Sequence, residues 1–198
     1  MRIPSQLYLA STSPYRKALL HRLGLPFGTE APAVAEDVLR DEAPAARAIR
    51  LALAKARAVA GRHPQDWVLG SDQVADCDGR LLDKPGTAEN CRRQLLACSG
   101  RAARFHTAAV LLRQDTATVY QHVDCTVVHF RKLAAAEVAR YVELERPFDC
   151  AGGFRCEGLG VTLFDSVESR DPTALVGLPL IWLAGALRLA GLDALSPP

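Results

Sequence analysis

The sequence predicts an α/β protein in which one mixed sheet is flanked by helices. Three observations carry that prediction. Short apolar runs that read as strands alternate with helical segments, without the regularity of a βαβ repeat. Hydrophobic residues make up 49% and charged residues 23% of the 198, a balance that builds a core and excludes a disordered chain. Pro and Gly punctuate the ends of these runs and collect in no linker, so residues 1–198 read as a single domain.

In chain order, Leu7-Tyr8-Leu9-Ala10 is a short buried strand. It runs into Ser11-Thr12-Ser13-Pro14 and a helix over 15–23, since Pro14 suits a first turn and Gly24 the residue just past an end. An Ala/Leu/Arg-rich helix covers 44–60. Residues 67–71 form a second strand that ends at Asp72. Asp78-Gly79 marks a tight turn, and Asp83-Lys84-Pro85-Gly86 leads into a helix over 88–98. Strand-like runs follow at 104–113 and 118–131, then a helix at 134–144 and a Gly-punctuated loop from Cys150 to Gly160. A final strand is expected at 162–164, and Pro172 or Thr173 opens a region ending in a helix that reaches Leu192.

Several function classes fall away on composition. A net charge of +2 provides no general drive toward nucleic acid or acidic membranes. The longest apolar stretch, 178–187, is too short to span a bilayer and meets Arg188 at once. The opening Met1-Arg2-Ile3-Pro4-Ser5-Gln6 lacks the apolar run of a signal peptide, which makes a cytoplasmic protein the expectation. Six cysteines include no Cys-x-x-Cys pair and share no cluster with a His, so they read as small core or near-surface residues. Of 24 basic residues only four are Lys, and three of these (Lys17, Lys55 and Lys84) fall beside polar motifs. A lysine is a compact charge suited to phosphate oxygens.

Three constellations can carry chemistry. Ser11-Thr12-Ser13-Pro14-Tyr15-Arg16-Lys17 places hydroxyls and cations at a helix start, a receptor for an anion as well as an ordinary cap. On the 44–60 helix, Arg50 and Arg57 share a solvated side while Lys55 borders the apolar face beside Ala48, Leu51 and Val59. That position suits either a ligand or a snorkelling side chain. Gly70-Ser71-Asp72-Gln73 ends an apolar strand, where ligands of open α/β sheets collect, although an Asp there also caps turns. With Lys84 downstream and Glu36 in the earlier loop, two carboxylates, hydroxyls and cations suit a divalent metal ion and a polyphosphate.

Five ordered segments resemble the Maf family of nucleoside triphosphate pyrophosphatases: Ser11–Arg16, Gly70-Ser71-Asp72, Asp83-Lys84-Pro85, Ala151-Gly152-Gly153-Phe154 with Glu157-Gly158, and Val176-Gly177-Leu178-Pro179-Leu180. The resemblance implies two lobes with a central cleft, as in inosine triphosphate pyrophosphatases. It implies Mg²⁺- or Mn²⁺-dependent cleavage between the α- and β-phosphates of a nucleoside triphosphate, and it makes a homodimer a familiar assembly. By position, Asp72 corresponds to the proton acceptor and a metal ligand, and Glu36 to a second metal or water carboxylate. Ser11, Ser13, Arg16, Lys55 and Lys84 correspond to triphosphate ligands. Ala35 departs from relatives that carry Asp before this Glu.

Members acting on dTTP and UTP carry Arg, Thr and Gln where this chain has Tyr15, Gln73 and Glu157; these three resemble the subfamily acting on 7-methyl-GTP. A base reason supports them. N7-methylguanine is cationic, which an aromatic face attracts by about 0.5–2 kcal/mol. Guanine also offers N1–H beside an exocyclic amine, a donor pair for a carboxylate such as Glu157. The alternatives are a dTTP/UTP pyrophosphatase of the same family and a nucleotide-binding regulator of cell division.

Overall fold

In chain order the elements are β1 (Leu7–Ala10), α1 (Pro14–His21), β2 (Gly28–Thr29), α2 (Pro44–Ala60), β3 (Trp67–Cys77), β4 (Arg80–Leu81), α3 (Ala88–Cys98), β5 (Ala102–Arg113), β6 (Thr118–Phe130), α4 (Ala135–Glu145), β7 (Phe164–Glu168) and α5 (Leu180–Leu189). This computed structural model describes residues 6–196. Residues 1–5, on which most of the signal-peptide reading rests, lie outside the described residues. The strands form one seven-stranded sheet in the order β2-β1-β3-β5-β6-β7, with β4 paired beside β3. β1 is parallel to β2 and β3, while every other pairing is antiparallel, so the sheet is mixed as expected.

The expected strand end at Asp72 is overturned. β3 continues to Cys77 because β5 pairs with it without interruption from Val68↔Leu112 to Cys77↔Ala103. Ser71, Asp72 and Gln73 break the apolar run and conceal the continuation. The last strand is also displaced. Residues Leu159–Leu163 wind into a 3₁₀ turn, and β7 begins at Phe164, pairing with β6 past an irregularity at His129/Phe130. β2 and β4 are two residues each, too short to leave a periodicity. α1 stops at His21 and α5 at Leu189, each a turn or less inside the expected end.

Three clusters hold the sheet. Leu7, Leu9, Leu69 and Leu111 pack with Leu19 and Leu20 of α1 and with Leu183 and Leu187 of α5. Val68, Val110 and Leu112 pack against a second group, where Ala48, Ala52 and Ala56 of α2 are fully buried. The far ends of β3, β5 and β6 pack with α3 and α4 through Leu95, Phe105, Val128, Val138 and Phe154. The first two clusters surround one half of the long strands and the third serves the other half. A cleft opens between them.

Alanine on the inner side of α2 is what lets that helix lie close to β3. A Cβ added at Gly70 would sit 2.2 Å from the Ala52 carbonyl and 2.7 Å from the Ala56 nitrogen. The backbone approach allowed by Gly70 brings α2, and Lys55 with it, against the middle of β3. Among the described residues no helix is long and apolar enough to cross a membrane.

Candidate active site

The cleft encloses about 550 Å³, a volume typical of small-ligand sites. Every site residue inferred from the sequence lines it: Ser11, Ser13, Tyr15 and Arg16 from the β1–α1 junction, Glu36 from the following loop, Lys55 from α2, Asp72 and Gln73 from β3, Lys84 after β4, and Glu157 from the Gly-punctuated loop. Lys17, one turn into α1, is exposed and takes no part in the lining.

Asp72 is at the centre. It is 6% exposed, and its Oδ1 lies 2.6 Å from the Lys55 ammonium. The same ammonium lies 2.6 Å from Oε1 of Glu36. Lys55 therefore spends two of its three donors on carboxylates and keeps one for a ligand. Burial pushes the Glu36 carboxyl up, but the hydrogen bond from Lys55 and the charges of Lys55, Lys84 and Arg16 outweigh it and hold the group below the ordinary carboxylate range. Lys84 and Arg16 thus act on the same small volume as Lys55.

The β1–α1 junction is built to donate. Ser11 Oγ accepts from the Ser13 amide at 3.1 Å, and Ser13 caps α1 by accepting from the Arg16 amide at 3.4 Å. Capping occupies a lone pair of each hydroxyl and leaves its proton for an anion. The capping and anion-receptor readings are thus compatible. Arg16 Nε donates to the Gly177 carbonyl at 3.2 Å, and Ser71 Oγ donates to that carbonyl at 2.9 Å. Burial lowers the Arg16 guanidinium from its usual value, while Asp72 and Glu36 pull it back up. Gly177 has φ +132°, a conformation that side chains rarely adopt, so glycine is needed to aim this carbonyl.

At the other end Tyr15 donates its phenol proton to Asp149 Oδ2 at 3.2 Å, and the Arg155 guanidinium lies 5.6 Å from its ring centroid. Burial first, then the neighbouring Cys150, raises the Tyr15 phenol above its ordinary value. Glu157 Oε2 accepts from the Cys156 thiol at 3.2 Å. Gln73 is differently engaged: its amide donates to Thr107 Oγ1 at 2.9 Å and to the Ala174 and Leu175 carbonyls at 3.2 and 3.1 Å. It braces the segment that presents Gly177.

Sequence reasoning missed Arg47, Asp149 and Gly177 as individual members of the lining. Arg47, Leu51 and Lys55 all line the cleft at i, i+4 spacing on α2, a signal that would have found the arginine. Cys77, Cys91 and Cys98 are core residues, but Cys150 and Cys156 line the cleft. All six cysteines are free.

A divalent cation fits the donor set. Glu36 and Asp72 each commit one oxygen to Lys55, and their other oxygens carry no hydrogen bond among the described residues. No group of three or more His, Cys, Asp or Glu converges among the described residues. Two carboxylates completed by substrate oxygens and water are the usual coordination of Mg²⁺ with phosphates.

A cleft of this kind defines a protein that holds a small polyanion against a buried carboxylate. The chain belongs to the Maf family: the profile described as Maf-like protein matches residues 6–190. It is 54% identical over 186 residues to the 7-methyl-GTP pyrophosphatase of Xanthomonas axonopodis pv. citri, covering 94% of this chain and 97% of that one. The proteins of the same name from Aromatoleum aromaticum and Saccharophagus degradans are 50% and 44% identical, over 95% and 94% of this chain and 97% and 95% of theirs. Among solved structures, a HAM1 protein from Coxiella burnetii overlaps with a TM-score of 0.46 at 18% identity, over 64% of this chain and 73% of its own. The Ham1 protein of Staphylococcus aureus overlaps with a TM-score of 0.46 at 12% identity, over 79% and 90%.

Proposed function

We propose that this protein hydrolyses the α–β phosphoanhydride of 7-methyl-GTP, releasing 7-methyl-GMP and pyrophosphate from a cytoplasmic nucleotide pool. The single observation that carries the reading is the buried Asp72 carboxylate, held by Lys55 in a cleft where Arg16, Arg47, Lys55 and Lys84 meet the phosphate end and Tyr15 and Glu157 the base end. The names of relatives at 44–55% identity support the same substrate.

In this mechanism Arg16, Lys55, Lys84 and the Ser11 and Ser13 hydroxyls bind and orient the triphosphate, offsetting the repulsion that an approaching water meets. Asp72 is the proton acceptor: one lone pair of its free oxygen takes the proton of the attacking water, and the other stays available to a metal ion. The water oxygen forms the new P–O bond, the bridging P–O bond breaks, and pyrophosphate leaves with the electron pair. Lys55, hydrogen-bonded to one oxygen of Asp72, keeps the carboxylate aimed. A bound Mg²⁺ or Mn²⁺, held by Glu36 and Asp72, would neutralise phosphate charge as a Lewis acid. Tyr15 stacks on the cationic base, and Glu157 accepts its N1–H and amine.

The test is pyrophosphate release with Mg²⁺ from equal concentrations of 7-methyl-GTP, GTP, dTTP and UTP, with Asp72→Asn as the blank. Preference for 7-methyl-GTP, abolished in the variant, is the expected result. Preference for the pyrimidines would replace the substrate with dTTP or UTP. Silence on all four in folded protein would favour a nucleotide-binding regulator of division.

A further inference from the structure

The charges lining the cleft are sorted. Arg16, Arg47, Lys55 and Lys84 accompany Glu36, Asp72 and Asp83, whereas Asp149 meets Tyr15 and Cys150, and Glu157 meets Cys156, at another corner. Behind the lining, one guanidinium serves that corner. Arg155 lies over the Tyr15 ring, 3.4 Å from Asp149 Oδ1 and 3.7 Å from Glu145 Oε1. Two carboxylates, Glu145 and Asp149, therefore flank a single positive charge.

We propose that Asp149 is a specificity-determining residue that selects a positively charged base, so that the substrate class is nucleoside triphosphates whose base carries a fixed positive charge. The inference rests on the pyrophosphatase reading above and deepens it. Asp149 meets two requirements at once. Its side chain is 55% exposed in the cleft, open to a ligand, and its Oδ2 accepts the Tyr15 phenol proton while Oδ1 faces Arg155. A carboxylate accepting that proton enriches the ring that a cation would stack on. It also neutralises Arg155, which would otherwise repel any cation brought to Tyr15. Stacking alone accepts any base, and Glu157 reads hydrogen-bond donors. Asp149 adds a response to charge itself, which extends beyond N7-methylguanine to other alkylated, cationic bases such as N1-methyladenine.

The experiment compares kcat/KM for 7-methyl-GTP against GTP, and for 1-methyl-ATP against ATP, in wild type, Asp149→Asn and Arg155→Gln. The two variants change the local charge in opposite directions, and Asp149→Asn does so with little change of shape. The cationic-to-neutral ratio should fall about five- to tenfold in Asp149→Asn and rise in Arg155→Gln, in both substrate pairs. A merely structural role for Asp149 would scale both members of a pair alike, and that result would overturn the assignment. Preference for 7-methyl-GTP with none for 1-methyl-ATP over ATP would overturn the substrate class. Calorimetric binding of 7-methyl-GMP and GMP to the same proteins should follow the same order. If binding does so while wild type releases no pyrophosphate, the hydrolytic reading fails and the charge selection by Asp149 stands.

Discussion

The Lys55 ammonium, on the inner side of α2, lies 2.6 Å from the Asp72 carboxylate in the middle of β3, and both side chains are less than a tenth exposed. Two buried charges of opposite sign tolerate one another only as a pair. The contact therefore serves the fold and, in the proposed mechanism, the proton acceptor, and separating these contributions needs more than one variant. Lys55→Met should lose about 3 kcal/mol of stability, a fall in Tm of about 6–10 °C, and most of its pyrophosphatase turnover. Lys55→Met with Asp72→Asn should recover much of that stability in thermal melts and none of the turnover. Recovery of turnover in the double variant would remove Asp72 from the chemistry.

Lys84 makes the opposite case. It is exposed, so Lys84→Ala should leave Tm within about 1–2 °C of wild type. A charge-assisted hydrogen bond to phosphate contributes about 1.5–3 kcal/mol, so kcat/KM should fall about 10- to 100-fold. A lower Tm with normal kinetics would make it a structural residue.

Gly70→Ala tests the close approach of α2 to β3. The added Cβ meets the Ala52 carbonyl and the Ala56 amide, both helical backbone that cannot swing aside. Overpacking of this kind costs about 3 kcal/mol or more. The measurable outcome is low soluble yield or a Tm lowered by about 6 °C or more, with turnover falling as Lys55 withdraws from Asp72.

Asp124, on β6, tests pH dependence away from the chemistry. It is 4% exposed, and its Oδ1 has no hydrogen-bond partner among the described residues. Burial pushes its carboxyl above the ordinary range, against a smaller pull from His122. The native state therefore holds this proton to higher pH than the unfolded chain. Asp124 costs no stability below the ordinary Asp value of about 3.9, and its penalty grows as pH rises past that value through the raised native one. Asp124→Asn should show a Tm advantage over wild type that is absent near pH 4 and present at pH 7. A constant difference across that range would place the effect in packing.

Much of the site was legible because its chemistry lies in compact local motifs. Ser11 to Arg16 place a cap, hydroxyls and a cation in one turn, and helix periodicity put Lys55 at the edge of the apolar face of α2. The helices Pro44–Ala60 and Ala88–Cys98 match their expected bounds to the residue. The length of β3 was not legible, because the pairing that sustains it past Asp72 comes from β5, 26 to 34 positions later. Nor was the engagement of Gln73, whose acceptors lie on Thr107, Ala174 and Leu175.

The sequence by itself determined the α/β class, the bounds of the helices Pro44–Ala60 and Ala88–Cys98, and the residue types that line the cleft. Only the tertiary structure decided their roles relative to one another. It gave Lys55 two carboxylates to hold, turned Gln73 into a brace for the strand of chain that aims Gly177 at Arg16, and set Asp149 between Tyr15 and Arg155. The physical reason is range. Caps, turns and periodicity act over a few residues and are written locally, whereas an ion pair or a brace depends on which surfaces the sheet brings together across the chain.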